Sequence, residues 1–173
     1  MGDTSDLDRL VLDHLPAALR FAVRLTGDPD AAEDLVQEAL VRVAERWTTF
    51  RGDATFRTWL FRILINVFRD QLRRRPRARA SLDEETTNVP DAKTIEPPDA
   101  ALASELGALV AQEVSRLPPR QREVLVLIAF EGLSISETAA VADISEQNVH
   151  ATLSAARARL KQRLAPYLGF AEK

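Results

Sequence analysis

The chain has 173 residues, enough for one ordinary domain or two small ones, and its 46% hydrophobic and 28% charged residues are those of a folded chain. The absence of cysteine excludes disulfides, thiolate metal sites and cysteine nucleophiles. A net charge of −3 argues against indiscriminate nucleic-acid binding over the whole surface, which needs a strongly basic protein.

In chain order, Leu7–Leu25 has the periodicity of a helix, and Gly27 ends it. Asp28 then supplies an N-cap and Pro29 the first helical position of a second helix running to about Trp47. Its buried stripe is expected to be Leu35, Val36, Ala39, Leu40, Val43 and Trp47. A loop over Thr48–Thr55 contains Arg51-Gly52-Asp53, where glycine permits a tight bend. The third helix, about Phe56–Arg75, turns Phe56, Trp59, Leu60, Ile63, Leu64, Val67 and Phe68 inward, and Pro76 stops it.

From there to about Pro98 the chain is rich in Pro, Asp, Glu and Thr and reads as a flexible acidic linker. A second helical block opens near Asp99, with helices expected over Ala100–Arg116 and Arg120–Phe130, separated by Leu117-Pro118-Pro119. After Gly132, the S-x-x-E pattern Ser134 to Glu137 forms a capping box for a short helix through Ala142. Asp143-Ile144 make a turn, and Ser145 caps a last helix to about Leu164. Strand patterns are nearly absent, so the expected fold is all-α, with two small helical domains and a linker between them.

Charge is segregated along this framework. Arg62, Arg69, Arg73, Arg74, Arg75, Arg77 and Arg79 crowd one stretch, and Arg157, Arg159, Lys161 and Arg163 another. Acids gather at 28–38 and 83–99, so the chain is equipped to meet both an anion and a basic partner. His14 and His150 stand apart from one another and from any cysteine, and neither a metal nor a cofactor is expected. No apolar run approaches the roughly 20 residues that span a bilayer, and the acidic N-terminus lacks a secretory pattern, so no membrane insertion and a cytoplasmic location are expected.

A short helix, a tight turn and a longer helix also make the shape that lays a recognition helix in the major groove. Ala139, Val141, Ile144, Val149 and Leu153 provide its small core. The early positions Glu146, Gln147, Asn148, His150, Ala151 and Thr152 then face outward; Asn and Gln can pair with adenine, Thr can touch a thymine methyl, and Arg157 can follow phosphates. The alternative is a plain helical hairpin with a solvated face.

Three stretches together resemble the extracytoplasmic-function (ECF) sigma factors, group IV of the sigma-70 family. D-A-A-E-D-L-V-Q-E over 30–38 is similar to the signature of the family's second conserved region. F-R-G-D-A-T-F-R-T-W-L over 50–60, followed by Ile63, Asn66, Asp70 and Arg73–Arg75, is similar to the rest of that region. L-P-P-R-Q-R-E-V-L over 117–125 with Glu131-Gly132-Leu133-Ser134 resembles the opening of the fourth region.

The resemblance implies a region 2 helical bundle over 1–77, a linker over 78–98 and a region 4 helix-turn-helix domain over 99–173. It implies a transcription initiation subunit, not an enzyme, whose partners are RNA polymerase core, promoter DNA as duplex and melted strand, and an anti-sigma factor. On the second helix, Asp34, Leu35, Gln37 and Glu38 would dock on the core, alongside the acidic Glu45. Phe50, Arg51, Asp53, Arg62, Asn66, Arg69 and Arg73 would hold the melted minus-ten strand, with Phe50 walling a pocket for a flipped base. Ser145, Gln147, Asn148, His150, Thr152 and Arg157 would read the minus-thirty-five element.

The sequence departs from the family at the last of these sites. Relatives often carry G-V-P in the turn and K-S-R in the helix, where this chain has Asp143-Ile144-Ser145 and His150-Ala151-Thr152. That departure leaves two other readings open: a sigma-like decoy for an anti-sigma factor, and a helix-turn-helix repressor that binds duplex as a dimer.

Overall fold

The computed structural model describes residues 4–52, 54–74 and 105–167. Asp53 and the expected linker lie outside them, as do Arg75, Arg77 and Arg79. The chain divides into two compact units, and helices are the regular structure among the described residues of both.

Among the described residues, the first unit has the α-helices α1 (Thr4–Thr26), α2 (Pro29–Arg46) and α3 (Phe56–Arg74), each packed on the other two. α1 runs through Pro16, which lacks an N–H and so removes one i→i−4 bond; packing along its length sustains the helix. At its end the Gly27 N–H donates to the Val23 carbonyl at 2.8 Å. Asp28 is the N-cap expected of it: its backbone is extended, and its side chain accepts from the Ala31 N–H at 2.9 Å.

The core of this unit is aliphatic and aromatic. Phe21 and Phe61 stack with centroids 4.5 Å apart, surrounded by Leu25, Leu35, Leu60, Leu64 and Ile65, all fully buried. Burying each such side chain contributes about 1.5–3 kcal/mol, so this cluster fixes how the three helices pack. The stripe expected on α2 is buried at Leu35, Val36, Ala39 and Val43, while Leu40 and Trp47 are half-buried.

The second unit comprises α4 (Glu105–Ser115), α5 (Pro119–Leu125), α6 (Ile135–Ala142) and α7 (Glu146–Leu164). α7 packs on α4, α5 and α6. The helix expected to run from Arg120 to Phe130 instead changes character midway. Over Val126–Phe130 it widens to a π-helical turn, in which the Glu131 N–H donates five residues back to the Val126 carbonyl at 3.0 Å. The apolar run Val124–Ile128 reads the same for either helix, so the sequence pattern carries no sign of the widening.

The capping box at α6 is present in both halves. The Glu137 N–H donates to Ser134 Oγ, and the Ser134 N–H donates to Glu137 Oε2 at 2.8 Å. Arg122 accounts for part of the Leu117-Pro118 motif: its Nη2 donates to the Leu117 carbonyl at 2.9 Å, tying the entry of α5 to its second turn. Burial pushes the Arg122 guanidinium down to about 10, an effect offset in part by the charge of Glu123, so it stays charged near neutrality.

α6 ends on Asp143, whose φ of +55° and ψ of +54° are left-handed. The Ile144 N–H closes the end by donating to the Ala139 carbonyl at 3.1 Å. A side chain here costs free energy that glycine does not. Asp143→Gly is therefore expected to stabilise the second unit by about 0.5–1 kcal/mol, and Asp143→Ala to give no such gain, as read by chemical denaturation of the full chain.

Candidate nucleic-acid interfaces

α7 is the second helix of the helix-turn-helix. Val149, Leu153 and Ala156 are buried against the rest of the unit together with Val141 and Ala142 of α6, while Ala139 and Ile144 are half-buried. Ser145 caps α7 by accepting from the Asn148 N–H at 3.2 Å, so it sets where the helix starts. Gln147, Asn148, His150 and Arg157 are exposed, and Thr152 is half-buried. The turn between α6 and α7 is held from behind by Arg120 of α5, whose Nη1 donates to the Ala142 carbonyl at 3.1 Å. Glu113, buried on α4, joins Arg116 at 2.7 Å and Arg163 of α7 at 3.3 Å, which anchors the far end of α7.

In the first unit, the loop before α3 rests on an aromatic cluster. The Phe50 ring lies 5.6 Å from Trp47, 6.0 Å from Phe56 and 5.0 Å from Trp59. Phe56 is buried, as expected of a core residue, whereas Phe50 and Trp59 keep half-buried faces. Trp47, read from its period as the end of the α2 stripe, belongs to this cluster and stacks on Phe50. Its position three residues before Phe50, across a short 3-10 turn over Trp47–Thr49, was the available signal. Gly52 has φ +76°, and no atom lies within 4 Å of where a Cβ would stand, so backbone conformation alone calls for glycine there. Arg51 is exposed; Asp53 lies outside the described residues.

Along α3, Arg62 is exposed and Asn66 and Arg69 are half-buried, on the stripe expected from their spacing. Arg73, on the same stripe, pairs with Asp70. Asp70 also accepts from Arg42 of α2 at 2.7 Å, and Arg42 reaches Glu38 at 2.7 Å. Glu38 in turn accepts from Gln71 at 3.1 Å and from Arg74 at 3.3 Å. The end of α3 is thus laced to α2 by a network of carboxylates and guanidiniums.

This network changes the expected docking set. Asp34, Gln37 and Glu45 are exposed on α2, but Leu35 is fully buried and has no surface to offer a partner. Its place in the α2 stripe, which points inward, is the physical reason. Glu38 is half-buried and committed to α3 within the chain. Among the described residues, no group of His, Cys, Asp or Glu is arranged to hold a metal ion, and no helix is long and apolar enough to cross a membrane.

The described residues thus form two separate helical units, one carrying an arginine stripe on α3 and the other a helix-turn-helix whose second helix has an exposed polar face. Residues 10–78 match the family model for sigma-70 region 2, and residues 108–160 that for sigma-70 region 4. The chain is 34% identical to the RNA polymerase sigma-H factor of Pseudomonas aeruginosa, over 96% of this chain and 90% of that one. It is 36% identical to the ECF RNA polymerase sigma factor SigE of Mycolicibacterium smegmatis, over 92% of this chain and 62% of that protein. Among solved structures it resembles the sigma factor RpoE of Bartonella quintana in complex with the anti-sigma factor NepR, with a TM-score of 0.75 at 30% identity, covering 92% of this chain and 96% of that one. The chain belongs to the sigma-70 family of RNA polymerase sigma factors, in its ECF group, and as such is a transcription initiation factor and not an enzyme.

The α2–α3 network makes acid stability testable. Partial burial pushes the Glu38 carboxyl up, but hydrogen bonds from Gln71 and Arg42 and the charges of Arg74 and Arg42 outweigh it and hold the group below its ordinary value. Asp70 is held low by its hydrogen bonds to Arg42 and Arg73. Both groups therefore stabilise the folded state above the ordinary carboxylate range, and that contribution is lost as pH falls below about 4. Thermal melts across this interval should show a smaller acid-induced drop for Asp70→Asn than for the unsubstituted chain; equal drops would mean that Asp70 does not carry the effect.

Proposed function

We propose that this chain binds RNA polymerase core and directs promoter recognition, strand opening and transcription initiation, with 1–77 and 99–173 as its two working domains and 78–98 as a linker. What supports this most is the occurrence of both family regions in one chain, each with an outward polar face suited to a different form of DNA. Asp34 and Gln37, exposed on α2 with Glu45 on the same helix, suit a basic docking surface on the core, and the half-buried Glu38 borders them. Arg51, Arg62, Asn66, Arg69 and Arg73 would hold the melted minus-ten strand, with the half-buried ring of Phe50 beside them as the wall for an extruded base. Gln147, Asn148, His150, Thr152 and Arg157 would read the minus-thirty-five duplex, on a helix whose start Ser145 fixes.

Opening a duplex costs a few kcal/mol per unstacked step, and capture of the extruded base and of strand phosphates by α3 and its preceding loop would offset it. The work is done by binding, in the cytoplasm, with no group undergoing covalent chemistry. The complex of RpoE with NepR, and that of CnrH with the cytosolic domain of CnrY, support an anti-sigma factor as a regulatory partner.

The deciding experiment is transcription in vitro with purified core and fragmented genomic DNA. Start sites that appear only when this chain is added support the reading; a chain that neither co-purifies with core nor opens any promoter overturns it. The docking face has its own test. Asp34→Lys with Gln37→Lys should weaken core binding by at least about tenfold, equivalent to about 1.4 kcal/mol, while leaving the melting transition in place. Arg62→Ala with Arg69→Ala should reduce promoter opening by the same holoenzyme and flatten its salt dependence, without loss of core affinity.

A further inference from the structure

The ion network at the end of α3 has an order of strength that bears on nucleic-acid binding. Arg42 is its inner member, with only 18% of its side chain exposed, and it bonds a carboxylate on each helix at 2.7 Å. Arg73 and Arg74 are the outer members, 74% and 65% exposed, and each leans on one of those same carboxylates. Exposed pairs of this kind are screened and easily exchanged, whereas a half-buried guanidinium between two acids is retained. The inner triad of Glu38, Arg42 and Asp70 carries two negative charges and one positive, so it presents one net negative charge to the two outer arginines. A phosphate group offers these arginines the same bidentate oxygen geometry as a carboxylate.

We infer that Glu38 and Asp70, held in place by Arg42, are positioning residues for strand binding: they occupy Arg73 and Arg74 in the unbound protein and yield them to backbone phosphates when a single strand arrives. This rests on the reading of α3 as a strand-binding helix. The carboxylates keep both guanidiniums extended near the end of α3 and set a threshold that a passing anion must exceed. Because Glu38 sits on the helix that also carries Asp34 and Gln37, the helix proposed to dock on the core and the strand-binding helix share one side chain.

The test is a titration of the full chain with a labelled oligothymidine strand across a range of salt, read by fluorescence anisotropy. In the bound state Arg73 and Arg74 face phosphates with or without their carboxylates. Removing a carboxylate therefore leaves the slope of log affinity against log salt, about −0.7 per phosphate contact for a single strand, in place and raises the affinity by the strength of the exchanged pair. Glu38→Gln and Asp70→Asn should each raise the affinity about threefold over the unsubstituted chain at the same salt. Asp13→Asn, which removes the same charge from an exposed site on α1, should leave the affinity unchanged.

Adding Arg73→Ala and Arg74→Ala to the Glu38→Gln, Asp70→Asn pair should abolish the gain in affinity. An unchanged affinity in both carboxylate variants, an equal change in Asp13→Asn, or a gain that survives loss of the two arginines would each overturn the inference. Both amides are isosteric with the groups they replace; should Asp70→Asn loosen the helix pair, Glu38→Gln decides alone, since its amide oxygen still accepts from Gln71. Failure of the wider reading shows elsewhere, as absence of core-dependent promoter opening by the unsubstituted chain.

Discussion

Arg42 sits between two acids on neighbouring helices, and much of the first unit's arrangement follows from that placement. A guanidinium in this half-buried position must be matched, because removing one partner of such a pair leaves an uncompensated charge where water is scarce. Glu38 meets it from one turn back on α2, and Asp70 meets it from α3. The aliphatic and aromatic core fixes how closely α1, α2 and α3 pack, but it is non-directional. The ion network fixes the register of α2 against α3 at the end where the arginine stripe emerges.

The second unit solves a similar problem differently. Two of its buried acids, Glu113 and Glu123, each have an arginine within reach, and Arg116, Arg120 and Arg163 use those acids to brace helices. Arg120 also caps the end of α6, so the turn leading into α7 is set from α5 as well as by its own residues. α7 itself is then free to carry an outward face with little constraint from packing. Three of its early positions differ from the pattern common in relatives, and the scaffold beneath them keeps its caps and its buried Val149 and Leu153.

Local chemistry explains which features were legible from the residues alone. Asp28-Pro29, the Ser134 to Glu137 box and the Ser145 cap depend on side chains bonding to backbone within one turn, so short patterns are sufficient to read them. Helix periodicity likewise reports the buried faces of α2 and α3. Leu35 shows where a motif misleads: it lies inside the stretch that resembles a docking signature, yet its period places it in the core. The π-helical turn over Val126–Phe130 left no trace, because an apolar run satisfies either hydrogen-bond spacing.

The sequence by itself therefore determined the all-helical class, the capped starts of α2, α6 and α7, the division into two units and the family, since each rests on contacts close in the chain or on ordered motifs. The tertiary structure alone decided what Glu38, Asp70, Arg73 and Arg74 do to one another, for those bonds join residues as far as 36 positions apart. No periodicity reports which of several charges will face each other across two packed helices. That depends on helix rotation and separation, which the buried core sets, and only then does Arg42 find its two acids.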